Sequence, residues 1–65
     1  MFNAAITKIV GDTVYFEYAN NESNIIVGDV TLGELLDAQY DDILVGLEII
    51  VVPENSMHIV VPLAR

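Results

Sequence analysis

The pattern of apolar and polar positions is most informative at residues 43–61. Two runs rich in valine and isoleucine flank Pro53-Glu54-Asn55-Ser56, a segment of residues that favour turns. β-Branched side chains have restricted χ1 rotation, so they fit a pleated strand better than a helix. The pattern therefore predicts a β-hairpin, and a hairpin this apolar requires the rest of the chain to cover it.

The pattern of residues 4–10 predicts a first strand with an irregularity. Ile6 and Ile9 are both expected in the core, although their spacing does not fit strict alternation. An extra residue or a strong coiling of the strand near Thr7 would account for this spacing, so we expect a β-bulge or strong coil there. The turn after this strand is Gly11-Asp12, because glycine allows positive φ and aspartate can hydrogen-bond its own backbone.

Residues 13–18 and 25–30 are the next two predicted strands. The first of them alternates strictly between apolar and polar positions. Its predicted core residues are Val14, Phe16 and Tyr18. The second strand contains Gly28, and a glycine inside a strand predicts a bulge or a sharp bend.

Thr31-Leu32-Gly33-Glu34 has the spacing of a capping box, which predicts one helical turn over residues 31–37. The residues expected to cover the end of the barrel from this turn are Leu32, Leu35 and Leu36. Five short strands with one such turn between the third and fourth predict an all-β fold, a small five-stranded antiparallel barrel of the OB type. An SH3-like barrel is the nearest alternative, although it usually lacks the turn after the third strand. We expect residues 1–65 to form one domain.

Composition narrows the chemistry that is available. The 65-residue chain is 54% hydrophobic and contains no cysteine and one histidine. Disulfides, thiolate metal sites and cysteine nucleophiles are excluded, so we expect no metal and no cofactor. The longest apolar run is shorter than the ~20 residues that span a bilayer, and the N-terminus lacks a signal-peptide pattern. The predicted location is therefore the cytoplasm, without membrane association.

The net charge of −8 argues against nucleic acid as a partner. Lys8 and Arg65 are the only lysine and arginine residues, whereas binding to a phosphate backbone depends on several of them. A simpler interpretation stands beside this one, because negative charge also keeps an apolar small domain soluble.

Four segments follow one another along the chain in an ordered series. They are Ala5-Ile6-Thr7-Lys8-Ile9, Gly28-Asp29-Val30-Thr31-Leu32-Gly33-Glu34-Leu35, Val45-Gly46-Leu47-Glu48-Ile49 and His58-Ile59-Val60-Val61. In this order they resemble the S1-type RNA-binding OB domain, and the chain is also similar to the small bacterial translation initiation factor of the same barrel type. The resemblance implies an OB barrel that stacks RNA bases on aromatic residues of its second and third strands.

The positions that would bind RNA in that family differ in this chain. Tyr15 keeps one aromatic position, but Asp12 and Asp29 replace two others, and His58 replaces an arginine. Each stacked base contributes ~1–3 kcal/mol, so we expect RNA binding to be weak or absent. If RNA binds, the expected residues are Tyr15, Lys8 and His58.

The acidic residues do not follow a pattern typical of catalysis or metal binding. Asp37 and Asp41-Asp42 lack the spacing of a calcium loop. Asp12 and Asp29 would need a cleft and a raised pKa for acid–base catalysis, and the sequence indicates neither. We therefore expect no enzymatic activity, and we expect His58 to be a strand residue near the surface.

The outer face of the predicted hairpin is unusually apolar. The residues expected to face inward are Leu47, Ile49, Val51, Met57, Ile59 and Val61. Ile50, Val52 and Val60 then lie outside, where a barrel is normally polar, and an exposed apolar patch favours partner binding. The full set of predicted protein-binding residues is Ile50, Val52, Val60, His58, Tyr15, Asp12 and Asp29.

Three functions remain open from the sequence. The first is a non-enzymatic acidic module that binds a protein partner, as an inhibitor or adaptor at a site of the nucleic-acid-binding type. The second is single-stranded RNA binding through Tyr15 and backbone contacts, and the third is a structural subunit of a homo-oligomer. We favour the first, because it accounts for the charge, the altered RNA-binding positions and the apolar outer face.

Overall fold

Five strands and one short helix make up the secondary structure of residues 1–63, the part of the chain that a computed structural model describes. In chain order the elements are β1 (Phe2–Val10), β2 (Thr13–Ala19), β3 (Ile25–Thr31), α1 (Leu32–Asp37), β4 (Glu48–Glu54) and β5 (Met57–Val60). The strands form one curled antiparallel sheet in the order β3-β2-β1-β4-β5. This half-barrel matches a small all-β OB-like fold, so the predicted fold class is confirmed.

The predicted bulge in β1 is confirmed. The pairing of β1 with β2 changes register between Ile6 and Lys8, so Thr7 is the extra residue. Ile6 is 1% exposed, and Ile9 packs against the core. The bulge allows two isoleucines three positions apart to face the same side of the sheet.

β2 supplies the centre of the core, as its strict alternation predicted. It pairs with β1 on one side and with β3 on the other. Its buried residues are Val14, Phe16 and Tyr18. The other strands, α1 and the segment after α1 complete the core with Ala4, Ile6, Val30, Leu35, Ala38, Tyr40, Ile49, Val51 and Val60. Because β2 is bonded along both edges and buried on one face, its position is strongly constrained.

The helical turn and its N-cap Thr31 are confirmed, but the Glu34 carboxylate bonds the Thr31 hydroxyl and not the Thr31 backbone N–H that a full capping box would use. The Thr31 hydroxyl accepts a hydrogen bond from the Glu34 backbone N–H (3.2 Å) and donates one to the Glu34 carboxylate (3.3 Å). Leu35 is buried and Leu32 packs against the core, but Leu36 is 57% exposed. Successive helical residues point about 100° apart, so the prediction that Leu36 also covers the barrel end is wrong. Within residues 1–63, this six-residue helix is far shorter than the ~20 residues that would cross a membrane.

The turn of the β4–β5 hairpin contains two residues instead of the expected four. Asn55 and Ser56 have positive φ angles of 50° and 65°, as a type I′ turn requires at both central positions. Pro53 and Glu54, which were expected in the turn, end β4. The hairpin is therefore tighter than its sequence suggested.

The register of the hairpin corrects the prediction for β5. Val51 pairs with Val60, and Val52 pairs with Ile59. Val60 is only 8% exposed and belongs to the core, whereas Ile59 is 48% exposed. A turn with an even number of residues places odd-numbered positions of one strand opposite even-numbered positions of the other, and opposed residues share a face. The residues whose predicted facing was wrong are Met57, His58, Ile59, Val60 and Val61.

Gly28 has a packing role in addition to the backbone role that was predicted. The pairing of β2 with β3 continues through Gly28 without a change of register, so of the two predicted alternatives, a bulge or a sharp bend, the bulge is wrong. A Cβ atom at this position would lie 2.6 Å from Phe16 Cζ and 2.8 Å from His58 Nδ1. Glycine is therefore required because two rings, one from β2 and one from β5, pack directly on the backbone of β3.

Candidate binding surfaces

The outer side of the β4–β5 hairpin is apolar, and we call the surface formed by its four central side chains the hairpin face. Its residues are Ile50, Val52, Ile59 and Val61. Val52 pairs with Ile59, and the Val61 backbone N–H donates to the Ile50 carbonyl oxygen at 2.9 Å, which places Val61 beside Ile50. Ile59 is 48% exposed, and the other three residues are half-buried. The face is therefore a continuous apolar surface two strands wide.

Polar residues border the hairpin face. Asn3 of β1 pairs with Ile50, while Glu48 and Glu54 occupy the two ends of β4. All three polar residues are exposed. An apolar centre with a polar rim is the usual anatomy of a protein–protein interface.

The structure separates the apolar residues that the sequence placed together. Ile50 and Val52 lie on the hairpin face, as expected, but Val60 is in the core. Ile59, which was expected inside, occupies the outer position across from Val52. The even number of residues in the turn was the overlooked signal, because both the expected four-residue turn and the observed two-residue turn place Ile59 outside and Val60 inside.

His58 lies on the inner side of the sheet and not on the hairpin face. Its Nε2 atom is 2.8 Å from the Tyr18 hydroxyl, and its ring meets the Phe16 ring edge-on at 5.1 Å between centroids. The ring of Phe2 in turn stacks on Tyr18 at 4.8 Å. These contacts join β5 to β1 and β2 through side chains, so His58 has a clear packing role.

Tyr15 stands in a row with Lys8 and Asp29 on the outer side of β1, β2 and β3. It pairs with Lys8 on one neighbour and with Asp29 on the other. The Lys8 ammonium lies 5.8 Å from the centre of the Tyr15 ring. Because β1 pairs with β4 only through residues 2–5, this row lies away from the hairpin face. Of the residues predicted for RNA binding, Lys8 and Tyr15 are neighbours, whereas His58 lies on the opposite face of the sheet.

Asp12 is in the turn between β1 and β2. Its carbonyl oxygen accepts a hydrogen bond of 2.7 Å from the Leu32 backbone N–H at the start of α1. Its carboxylate is exposed to solvent. The structure therefore gives the Asp12 backbone a role in seating the helix.

The gap between β3 and β5 is the second surface of interest. These strands are the two ends of the sheet order, and within residues 1–63 no ladder of hydrogen bonds joins them. A cavity of about 300 Å³, which we call the edge cavity, opens beside the gap. Its lining includes Phe2, Tyr18, Ile26, Pro53, Met57 and His58. A smaller cavity of about 170 Å³, the acidic cavity, is lined by Asp29, Glu34, Ser56, Met57 and His58.

Negative charge dominates the surroundings of both surfaces. Within residues 1–63, Lys8 is the one lysine or arginine, against ten aspartates and glutamates. In the same part of the chain, no three histidine or acidic side chains are grouped as ligands of a metal ion would be. A charged group that approaches either surface therefore meets a negative electrostatic potential.

The edge cavity was not predicted from the sequence. Its walls come from β1, β2, β3 and the hairpin, so residues far apart in the chain meet there. Gly28 was the nearest available signal, because a glycine inside a strand can also indicate the close approach of another group.

Comparison with known proteins does not add to this geometry. No family model, no curated protein and no solved structure matches the chain. The resemblance to an S1-type domain therefore stays a prediction that rests on the four sequence segments.

Proposed function

We propose that the chain is a non-enzymatic, acidic OB-like module that binds a protein through its hairpin face. The supporting observation is the hairpin face itself, which has four apolar side chains on two adjacent strands and exposed acids at both ends of β4. Sheets that pack against the core on one side normally alternate to polar residues on the other. Burial against a partner explains why this outer face is apolar instead.

Ile59 is the residue on which binding depends most. Full burial of a side chain of this type contributes ~1.5–3 kcal/mol. Ile59 has nearly half of its surface exposed, whereas its neighbours are already partly covered within the chain. Association also costs translational and rotational freedom, so the loss of one well-placed contact has a large effect on the affinity that remains.

The charge of the module indicates the kind of partner. A net charge of −8 attracts a basic surface, accelerates association with it and makes the complex sensitive to salt. Clustered lysines and arginines are the footprint of nucleic-acid-binding proteins. We therefore infer that the module acts as an inhibitor or adaptor at such a basic site on its partner.

Quantitative capture from a lysate of the source cell tests this proposal. Tagged wild-type protein is compared with Ile59→Lys and with the control Leu44→Lys. Leu44 is 65% exposed in the segment between α1 and β4, so the control changes the charge equally at another exposed apolar residue. We expect at least one basic protein to be retained by the wild type and the control and lost by Ile59→Lys. The proposal is wrong if the captured proteins are the same for all three.

The same variants also test whether the hairpin face binds a second copy of the chain. β5 is an edge strand, and an apolar edge can pair with a second copy. Sedimentation of the purified wild type should show a monomer if the partner is a different protein. A dimer that dissociates in Ile59→Lys would instead make the chain a homo-oligomer subunit.

RNA binding through Lys8 and Tyr15 is the alternative function, and the contact between these two side chains supports it. One aromatic ring beside one lysine supplies little stacking and little phosphate neutralisation. We expect a short labelled single-stranded RNA to bind no tighter than ~10⁻⁴ M at physiological salt in fluorescence anisotropy. Micromolar, salt-sensitive binding that is lost in Tyr15→Ala would favour the RNA-binding function.

A further inference from the structure

The edge cavity has the features of a preformed site for one bulky side chain. It holds about 300 Å³ and is bounded by Phe2, Tyr18, Ile26 and Met57 among others. Clefts that hold drug-sized ligands range from ~300 to 1,000 Å³, so this one lies at the small end of that range. Its size suits a single aromatic or large aliphatic group.

Fixed contacts hold the walls of the edge cavity in place. The ring of Phe2 stacks on Tyr18 at 4.8 Å, and the Tyr18 hydroxyl is 2.8 Å from His58 Nε2. His58 also packs over Gly28, where no larger residue would fit. A site that is already organised loses less conformational freedom when it is filled.

The cavity lies where the backbone of the sheet is unpaired. β3 and β5 are the end strands, and within residues 1–63 no hydrogen-bond ladder joins them. Such strands can bind an extended peptide through main-chain hydrogen bonds, while pockets beside them select its side chains. The geometry therefore suits an extended segment better than a helix.

Charge identifies the residues expected next to the bulky side chain. The acidic cavity adjoins the edge cavity, since Met57 and His58 line both, and it adds Asp29 and Glu34. Within residues 1–63, Lys8 is the one lysine or arginine available to neutralise the acids. A lysine or arginine of the partner would complement this charge.

We propose that the edge cavity binds an extended, basic segment of a protein partner. The segment inserts one bulky apolar side chain into the cavity, and a lysine or arginine next to that residue lies toward Asp29 and Glu34. This inference rests on the proposed function, because it specifies which part of a basic partner is recognised. It adds a second contact region, adjacent to the hairpin face along β5, where Met57 precedes Ile59.

Selection from a displayed library of random 12-residue peptides tests the inference with purified protein. We expect enrichment of peptides that combine an aromatic or large aliphatic residue with lysine or arginine. In ¹⁵N-labelled protein, a synthetic copy of an enriched peptide should shift the amide signals of Tyr18, Ile26, Met57 and His58. Failure to enrich such peptides, or shifts confined to the hairpin face, would overturn the inference.

Matched variants then locate the two parts of the site. Met57 is 68% exposed, so Met57→Lys should stay folded and weaken the peptide by at least about tenfold, while Met57→Leu should retain most of the affinity. Asp29→Asn should weaken binding about twofold to fivefold at low salt. Asp42→Asn removes the same charge in the segment between α1 and β4 and should have no effect. Equal effects of the last two variants would mean that only the overall charge matters and would contradict a defined basic subsite.

The proposed function and this inference can fail separately. Ile59→Lys should abolish capture of the protein partner while leaving peptide binding at the edge cavity nearly unchanged. If no selected peptide binds at the edge cavity but capture of the partner still depends on Ile59, the inference alone is rejected. Capture that does not depend on Ile59 would reject the proposed function, whatever the peptide does.

Discussion

The two faces of the β4–β5 hairpin are chemically alike but have different surroundings. On the inner face, Ile49 and Val51 are fully buried and Val60 is 8% exposed. On the outer face, Val52 is half-buried and Ile59 is 48% exposed, although these residues are also β-branched and apolar. Apolar composition alone therefore does not distinguish residues that stabilise the core from residues that lie on the outer surface of the sheet. Register makes that distinction.

The largest effect should come from a charge on the inner face. Val60→Glu places a carboxylate among core residues without a partner, which costs more than about 4 kcal/mol. A domain of this size has only ~5–15 kcal/mol of stability in total, so we expect the variant to be largely unfolded. Far-UV circular dichroism and the dispersion of the amide NMR signals will show this. Ile59→Glu is the control and should stay folded; if both variants fold equally well, the register of β5 is wrong.

The next largest loss of stability should come from substituting Gly28 of β3, on which His58 of the inner face packs. Gly28→Ala would bring a Cβ atom within 2.6 Å of the Phe16 ring and 2.8 Å of the His58 ring, and overpacking of this kind costs ~1–3 kcal/mol. Gly33→Ala is the matched control, because its Cβ would meet nothing closer than Thr31 Oγ1 at 3.9 Å. Because Gly33 lies in α1, where alanine is favoured over glycine, Gly33→Ala should stabilise the protein by ~1 kcal/mol. Urea denaturation of both variants will measure the two opposite shifts.

The hydrogen bond between Tyr18 and His58 should contribute a smaller amount. Tyr18→Phe keeps the ring that stacks on Phe2 and removes the hydroxyl 2.8 Å from His58 Nε2. We expect the free energy of unfolding to fall by ~1 kcal/mol. Tyr15→Phe is the control, since the Tyr15 hydroxyl makes no hydrogen bond within residues 1–63, and it should change the stability by less than ~0.5 kcal/mol. Equal losses in the two variants would show that this bond does not help to close the barrel.

Local patterns in the sequence were enough to predict most of the fold. The strict alternation of β2 identified its core face, the spacing of Ile6 and Ile9 located the bulge at Thr7, and Thr31 with Glu34 located the start of α1. In each case the signal lies within a few neighbouring residues. Such signals can be read directly because the periods of strands and helices are fixed.

The facing of β5 could not be read from local pattern alone. All of its central residues are apolar or amphipathic, so either face of Met57–Val60 fits a core. Whether the turn has an odd or an even number of residues decides between them. Of the four residues expected in the turn, only Asn55 and Ser56 form it. Both the expected four-residue turn and the observed two-residue turn contain an even number of residues, so either one places Ile59 on the outer face and Val60 on the inner face.

The edge cavity depends on long-range packing and was therefore beyond the sequence patterns. Phe2 and Ile26 meet the hairpin there only because the sheet curls until β3 approaches β5. No spacing along the chain records how far a sheet curls. The candidate site is thus half predictable: the apolar hairpin was foreseen, and the cavity beside it was not.

A substitution on the outer face should have the smallest effect on stability. Such a substitution also gives the most direct test of the proposed role. The measurement combines urea denaturation of Ile59→Lys with quantitative capture of partner proteins by the same sample, beside Leu44→Lys. We predict a free energy of unfolding within about 0.5 kcal/mol of wild type, together with loss of the captured partner in Ile59→Lys alone. An unfolded Ile59→Lys would place the residue in the core, and a folded Ile59→Lys that retains every partner would show that the hairpin face is not an interface.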